Sequence, residues 1–208
     1  MKTKKYSFIK IIALAVIAVA FAIPANAQLT PYTYFNADWQ FNAPLGNNKF
    51  ANTASGWGMN FEGGYYVLPD LAIGAFVNYS TNNKYVSRTT LNIGTTSINT
   101  DQQHSVFQLP FGVTAHYRFN DGIIQPYVGA KVGAEYSKMK SEFYIYEVKD
   151  NTWGVYMQPE VGLYIYPWAN SVGFHVAAYY SYATNKGQVF DYKMDNRSNI
   201  GFRVGLAF

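Results

Sequence analysis

Ile200-Gly201-Phe202-Arg203-Val204-Gly205-Leu206-Ala207-Phe208 closes the chain, and its spacing decides the fold. Ile200, Phe202, Val204, Leu206 and Phe208 are apolar at every second position, while Gly201, Arg203, Gly205 and Ala207 between them are small or charged. Side chains of a strand point alternately to its two faces. The stretch therefore reads as a strand with one oily face and one thin face that carries a cation.

Working outward, the same alternation recurs between turn signals. Strands are expected at Tyr34–Phe41, Trp57–Val67, Leu71–Ser80, Ser105–Phe119, Ile124–Tyr136, Trp153–Tyr166 and Val172–Tyr182, which with the closing stretch makes eight. Leu68-Pro69-Asp70, Asn120-Asp121-Gly122 and Pro167–Asn170 are short turns, since Pro fixes φ and Asn-Asp-Gly favours a hairpin. The other connections are long and polar: up to about Ser55, Thr81–Asp101 (with a β-extension around Tyr85–Asn99), Ser137–Asn151 and about Thr184–Ser198. Long and short connections thus alternate along the whole chain.

Alternate apolar positions counted back from a terminal Phe resemble the closing strand of Gram-negative outer-membrane β-barrels. In that family the segment is also the signal read by the barrel assembly machinery, a role the resemblance assigns to Ile200, Phe202, Val204, Leu206 and Phe208. Short turns at one end, long loops at the other and an even strand number extend the resemblance to small eight-stranded barrels of the OmpA and porin-like type. It implies an all-β, antiparallel, up-and-down transmembrane barrel with both termini in the periplasm. A soluble eight-stranded barrel would turn its apolar residues inward. Here Asp38, Glu62, Arg118, Lys131, Glu135, Glu160 and Arg203 all fall opposite the oily faces, the partition a lipid environment enforces, because Lys or Arg at mid-membrane costs about 2–4 kcal/mol.

At the amino end, Lys2, Lys4, Lys5 and Lys10 precede an apolar run of 13 residues, Ile11–Ile23, and then Ala25-Asn26-Ala27. A basic head, a short apolar core and an A-x-A site make a secretory signal peptide over residues 1–27. The run falls short of the about 20 residues a spanning helix needs. The barrel domain is then 28–208. Four of the 16 Lys and Arg leave with the signal, so 12 cations face 12 Asp and Glu and the formal charge is zero. The basicity belongs to targeting, and nucleic acid is not an expected partner. With no cysteine, disulfides and thiolate metal sites are excluded, and no cofactor is expected.

Eight strands enclose a lumen that side chains can fill, and Tyr66, Phe76, Tyr127, Tyr156, Tyr164 and Tyr179 point inward with the charges. The candidate lumen network is Glu62, Arg118, Lys131, Glu135, Glu160 and Arg203. Of these, Glu62, Glu160, Lys131 and Arg203 resemble the interior ion network of the OmpA-type barrels. Its plain role is to fill and hold the barrel. The alternative is a gate on a narrow porin-like channel. Similarity to the lipid A deacylases would call for a His-x-Ser pair, but His104 is followed directly by Ser105, on the opposite face, and His116 and His175 lie inward. No enzyme is expected. The resemblance implies outer-membrane lipid, lipopolysaccharide, periplasmic chaperones and the assembly machinery as partners. The tyrosine-bearing outer loops add a host or surface ligand for an adhesive role.

Overall fold

Every backbone N–H and C=O that enters lipid needs a partner within the protein, and a sheet closed on itself supplies one to each strand. The computed structural model describes residues 32–46, 50–93, 96–167, 172–190 and 192–208. Strands β1 (Thr33–Leu45), β2 (Gly58–Tyr66), β3 (Leu71–Ile93), β4 (Thr96–Arg118), β5 (Ile124–Phe143), β6 (Tyr146–Ile165), β7 (Gly173–Val189) and β8 (Tyr192–Ala207) follow one another around a closed antiparallel barrel. The seam between β1 and β8 runs from Asn36↔Ala207 to Leu45↔Ser198. Two backbone bonds between Phe35 and Phe208, of 3.1 and 2.8 Å, extend it to the last residue. The expected signal peptide, 1–27, and turn residues 168–170 lie outside the described residues.

The eight strands are those read from the alternation, with inner and outer faces as assigned. Phe202, Val204 and Leu206 face outward with 49, 45 and 42% of their surface exposed, whereas Arg203 between them is fully buried. Among the described residues, outward positions from the short turns up to Tyr79, Tyr136, Trp153 and Tyr180 are all uncharged. In water such a band would be an association hazard. In lipid it is the required surface.

The β3–β4 connection carries the expected β-extension, and the β5–β6 and β7–β8 connections differ from expectation by continuing the ladder instead of leaving it. β3 and β4 pair as far as Ile93↔Thr96, β5 and β6 as far as Phe143↔Tyr146, and β7 and β8 as far as Val189↔Tyr192. The hairpins stand beyond the apolar band, where the outer face is no longer required to be oily, so the band's pattern of apolar outside and polar inside ends although alternation of side chains persists. In β5, Ser137, Met139, Ser141 and Phe143 point in, while Lys138, Lys140 and Glu142 point out or half out. From Tyr136 to the Tyr144-Ile145 tip is roughly 26 Å along the strand at about 3.3 Å per residue.

The connection between β1 and β2 is a true loop, but it is not simply polar. Phe50 and Ala51 fold into the barrel mouth, where with Val106, Met139, Val189 and Met194 they form an apolar cluster. Phe50 stacks on His104 with ring centroids 4.4 Å apart, and His104 Nδ1 donates to the Phe50 carbonyl at 3.1 Å. Loop 1 is therefore a lid over the long-hairpin end.

Closing so small a barrel brings strands close on the inner face. Gly112 and Gly133 are register partners, and a Cβ added to Gly133 would lie 2.0 Å from the Phe111 carbonyl oxygen. No side-chain rotation relieves a clash with backbone. Gly133→Val is expected to destabilise the refolded barrel by about 1–3 kcal/mol, the usual cost of overpacking. The check is the urea midpoint of its heat-modifiable gel mobility, and an unchanged midpoint would contradict this account of the inner wall.

Candidate functional site in the barrel lumen

β2, β4, β5, β6 and β8 each send a polar side chain to mid-lumen, because their inward positions at that depth are Glu62, His116, Lys131, Glu160 and Arg203. Lys131 Nζ lies 2.5 Å from Glu62 and 3.5 Å from Glu160. Arg203 pairs with the same Glu160 carboxylate. His116 Nε2 bridges Glu62 Oε1 at 2.8 Å and Glu160 Oε1 at 3.2 Å. Lys131 also donates to Asn60 at 3.1 Å, and Asn60 donates to Asp38 at 2.8 Å.

Tyrosines and a second histidine extend the network toward the short-turn end. Asp38 receives His175 Nδ1 at 2.7 Å, and Tyr127 O–H meets His175 Nε2 at 2.7 Å and Glu160 at 3.1 Å. Tyr34 donates to Glu62 at 2.9 Å. Tyr127 and Tyr164 stack with centroids 4.8 Å apart. A charge removed from water costs several kcal/mol unless partners surround it, and each of these has at least one. Lys131 and Arg203 are 0% exposed.

The six predicted lumen charges fall into three places. Glu62, Lys131, Glu160 and Arg203 are brought together. Glu135 lies nearer the mouth, where it pairs with Arg197, and Arg197 also donates to Ser137 at 3.2 Å. Arg118 stands apart at the short-turn rim, half-buried, where it donates to Gln125 at 3.2 Å and the Pro69 carbonyl at 2.7 Å and covers the Tyr66 ring. The sequence reading did not include Arg197, which it assigned to a loop, nor the position of His116 between two carboxylates. Tracking residue parity back from Arg203 would have turned both Asn199 and Arg197 inward, because the register holds to Ala183↔Arg197 and slips only beyond it, between Ala183 and Lys186.

Glu62, His116 and Glu160 have ligand atoms within 4.8 Å of one another. Lys131 and Arg203 already satisfy the carboxylates there, a donor set suited to ion pairing rather than to a cation. Of the predicted closing-strand residues, Ile200, Phe202, Val204 and Leu206 face outward, and Phe208 lies beside Phe35 with centroids 6.1 Å apart. Ser105 sits on the face opposite His104.

Fold and lumen together define a transmembrane barrel, oily outside and filled with paired polar groups inside. The chain belongs to the family described as outer membrane protein beta-barrel domain, which it matches over residues 11–208. It is thus an outer-membrane β-barrel of the Gram-negative envelope, bounded by that membrane's lipid. Among solved structures it is similar to Neisserial surface protein A, with 17% identity, TM-score 0.49 and coverage of 84% of this chain and 95% of that one. It is also similar to Ail of Yersinia pestis in complex with the heparin analogue sucrose octasulfate, at 15% identity, TM-score 0.44 and coverage of 85% and 97%. The N-terminal barrel domain of Pseudomonas aeruginosa OprF gives 13%, 0.40, and 84% and 97%. No curated protein sequence matches the chain significantly.

Proposed function

We propose that this protein is a non-conducting surface scaffold: a closed outer-membrane barrel that holds rigid hairpins outside the cell for contact with surface partners. The observation that carries this reading is the buried ion network of Glu62, Lys131, Glu160 and Arg203, which fills the lumen at mid-height beneath the Phe50 lid. In this reading residues 1–27 are removed on export, both termini are periplasmic, and the short turns lie on that side. The outward ridge Ile200, Phe202, Val204, Leu206 and Phe208 is what the assembly machinery reads, after periplasmic chaperones have carried the chain across. Tyr144 and Ile145, 81 and 77% exposed at the β5–β6 tip, offer apolar contact far from the band. The role is adhesive or structural and not catalytic.

The test is conductance of the refolded barrel in a planar bilayer. Wild type is expected to be silent, and so is Phe50→Ala, because removing the lid leaves the ion pairs in place. Discrete, reproducible steps from folded wild-type protein would overturn the scaffold reading in favour of a narrow channel.

A further inference from the structure

One arrangement in the lumen is more than filling it requires. Tyr127 O–H lies 2.7 Å from His175 Nε2, and His175 Nδ1 lies 2.7 Å from Asp38. A carboxylate only accepts, so Asp38 keeps the imidazole proton on Nδ1 and leaves Nε2 to accept from the phenol. Carboxylate, imidazole and hydroxyl in this order prepare a hydroxyl to lose its proton. A nucleophile also needs a substrate in reach, and Tyr127, 2% exposed, faces only other lumen side chains. An electron needs no such entrance.

Stacked rings lead from Tyr127 to the short-turn rim. Tyr127 lies on Tyr164 with centroids 4.8 Å apart, and Tyr164 on half-buried Tyr166 at 6.4 Å. Tyr166 N–H bonds to the Ile123 carbonyl beside the β4–β5 turn, which places its ring at the end of the lumen. Gly162 lets the Tyr127 ring lie flat against β6, since a Cβ there would stand 2.4 Å from it. Tyr164 has a longer contact of its own, 3.2 Å to His116 Nδ1, which suits a relay. Tyr179 and Tyr156 supply the contrast: they donate to the Phe41 carbonyl and to Gln158, neither of which can take up a proton.

We propose that Tyr127 is a redox-active tyrosine, which holds a one-electron hole received through Tyr166 and Tyr164 from peroxyl radicals at the short-turn rim. The peroxyl radical takes one electron from Tyr166 and leaves as a hydroperoxide anion. Tyr164 refills Tyr166, and Tyr127 refills Tyr164. A phenol that loses an electron becomes a strong acid and sheds its proton. Here the proton passes from Tyr127 Oη to His175 Nε2, Asp38 balances the imidazolium, and Tyr127 is left a neutral phenoxyl radical. A quinol or enediol, as one-electron reductant at the rim, returns the electron along the same rings. The proton then goes back from Nε2 to Oη. Burial keeps the radical from coupling with others in the meantime.

The test is flash oxidation of the refolded full barrel in phosphatidylcholine nanodiscs by photogenerated tris-bipyridyl ruthenium(III), followed by electron paramagnetic resonance. Exposed tyrosines also form radicals, but these decay fast, so the slow component is the readout. Wild type is expected to show a persistent neutral tyrosyl radical with a hydrogen-bond proton coupling that deuterated buffer removes. Tyr127→Phe keeps the ring and should abolish the slow component. Asp38→Asn keeps Tyr127 but loosens the hold on the imidazolium, and should shorten the lifetime roughly tenfold, as loss of one charge-assisted hydrogen bond from the barrier would. Tyr164→Phe should lower the yield on Tyr127 and leave its lifetime unchanged, a split that lumen filling alone does not produce. Heat-modifiable mobility shows that each variant is folded. No slow radical in folded wild type, or one that survives in Tyr127→Phe, would overturn the assignment, and so would an unchanged lifetime in Asp38→Asn. An unchanged yield in Tyr164→Phe would overturn the route. If Tyr127→Phe does not fold, the Asp38→Asn lifetime and the proton coupling decide.

Discussion

Replacing Arg203 by leucine is expected to cost the refolded barrel about 3–5 kcal/mol, the usual penalty for breaking a buried ion pair on one side only. Arg203 is fully buried, pairs with Glu160 and covers the Tyr179 ring at 4.9 Å. Without it, Glu160 keeps His116 and the longer contact to Lys131, both of which it shares with Glu62, and the neutral donors Tyr127 and Gln158. Glu160→Gln should cost a similar amount from the other side, since Arg203 then lacks its counter-charge. Arg203→Leu combined with Glu160→Gln should cost clearly less than the two single losses added together, because the second change removes a charge the first has stranded. Urea midpoints in detergent micelles, followed by heat-modifiable mobility, give all three values. Single losses below about 1 kcal/mol would mean that lumen water replaces the pairs.

Moving a cation by a single residue should be nearly as damaging. Lys131 points inward and is 0% exposed; Val132 points outward and is 47% exposed. Val132 opposes Val113 on one side and Met157 on the other, both outward and apolar. Val132→Arg therefore places a charge in hydrocarbon and is expected to cost about 2–4 kcal/mol in a bilayer. Lys138→Ala, six residues along the same face but beyond the aromatic girdle, should change stability by less than about 0.5 kcal/mol. If the two variants behave alike in lipid vesicles, the outward face is not lipid-facing at Val132.

Period-two hydropathy made the barrel legible because the membrane forces the outward face to be oily and leaves the inward one free to hold Glu62, Lys131, Glu160 and Arg203. The same signal failed where the membrane ends. Ser137–Phe143 still alternates, with small or apolar residues in and Lys138, Lys140 and Glu142 outward, but the contrast is of charge and size rather than hydropathy. The polar reading of loop 1 overlooked Phe50-Ala51, a short apolar pair that becomes visible as a lid only when the opposite wall supplies Val106 and Met139. Partnerships across the lumen depend on strand stagger, which no single strand encodes. Glu135 meets Arg197 at a separation of 62 residues, and Arg118, on the same face of β4 as Thr114 and His116, ends at the rim with Gln125.

The β4–β5 ladder runs without a break from Gln103↔Glu142 beside the hairpin tip to Arg118↔Tyr127 at the short turn. Ladder bonds lie across the strands, so a pull on the tip along the barrel axis loads them together, in shear. A sideways pull at Tyr144 would instead open them one after another. Traction on the hairpin in the proposed adhesive role would thus be carried down to the membrane-embedded wall with no slack segment between, and the direction of the force would decide whether the hairpin holds or peels.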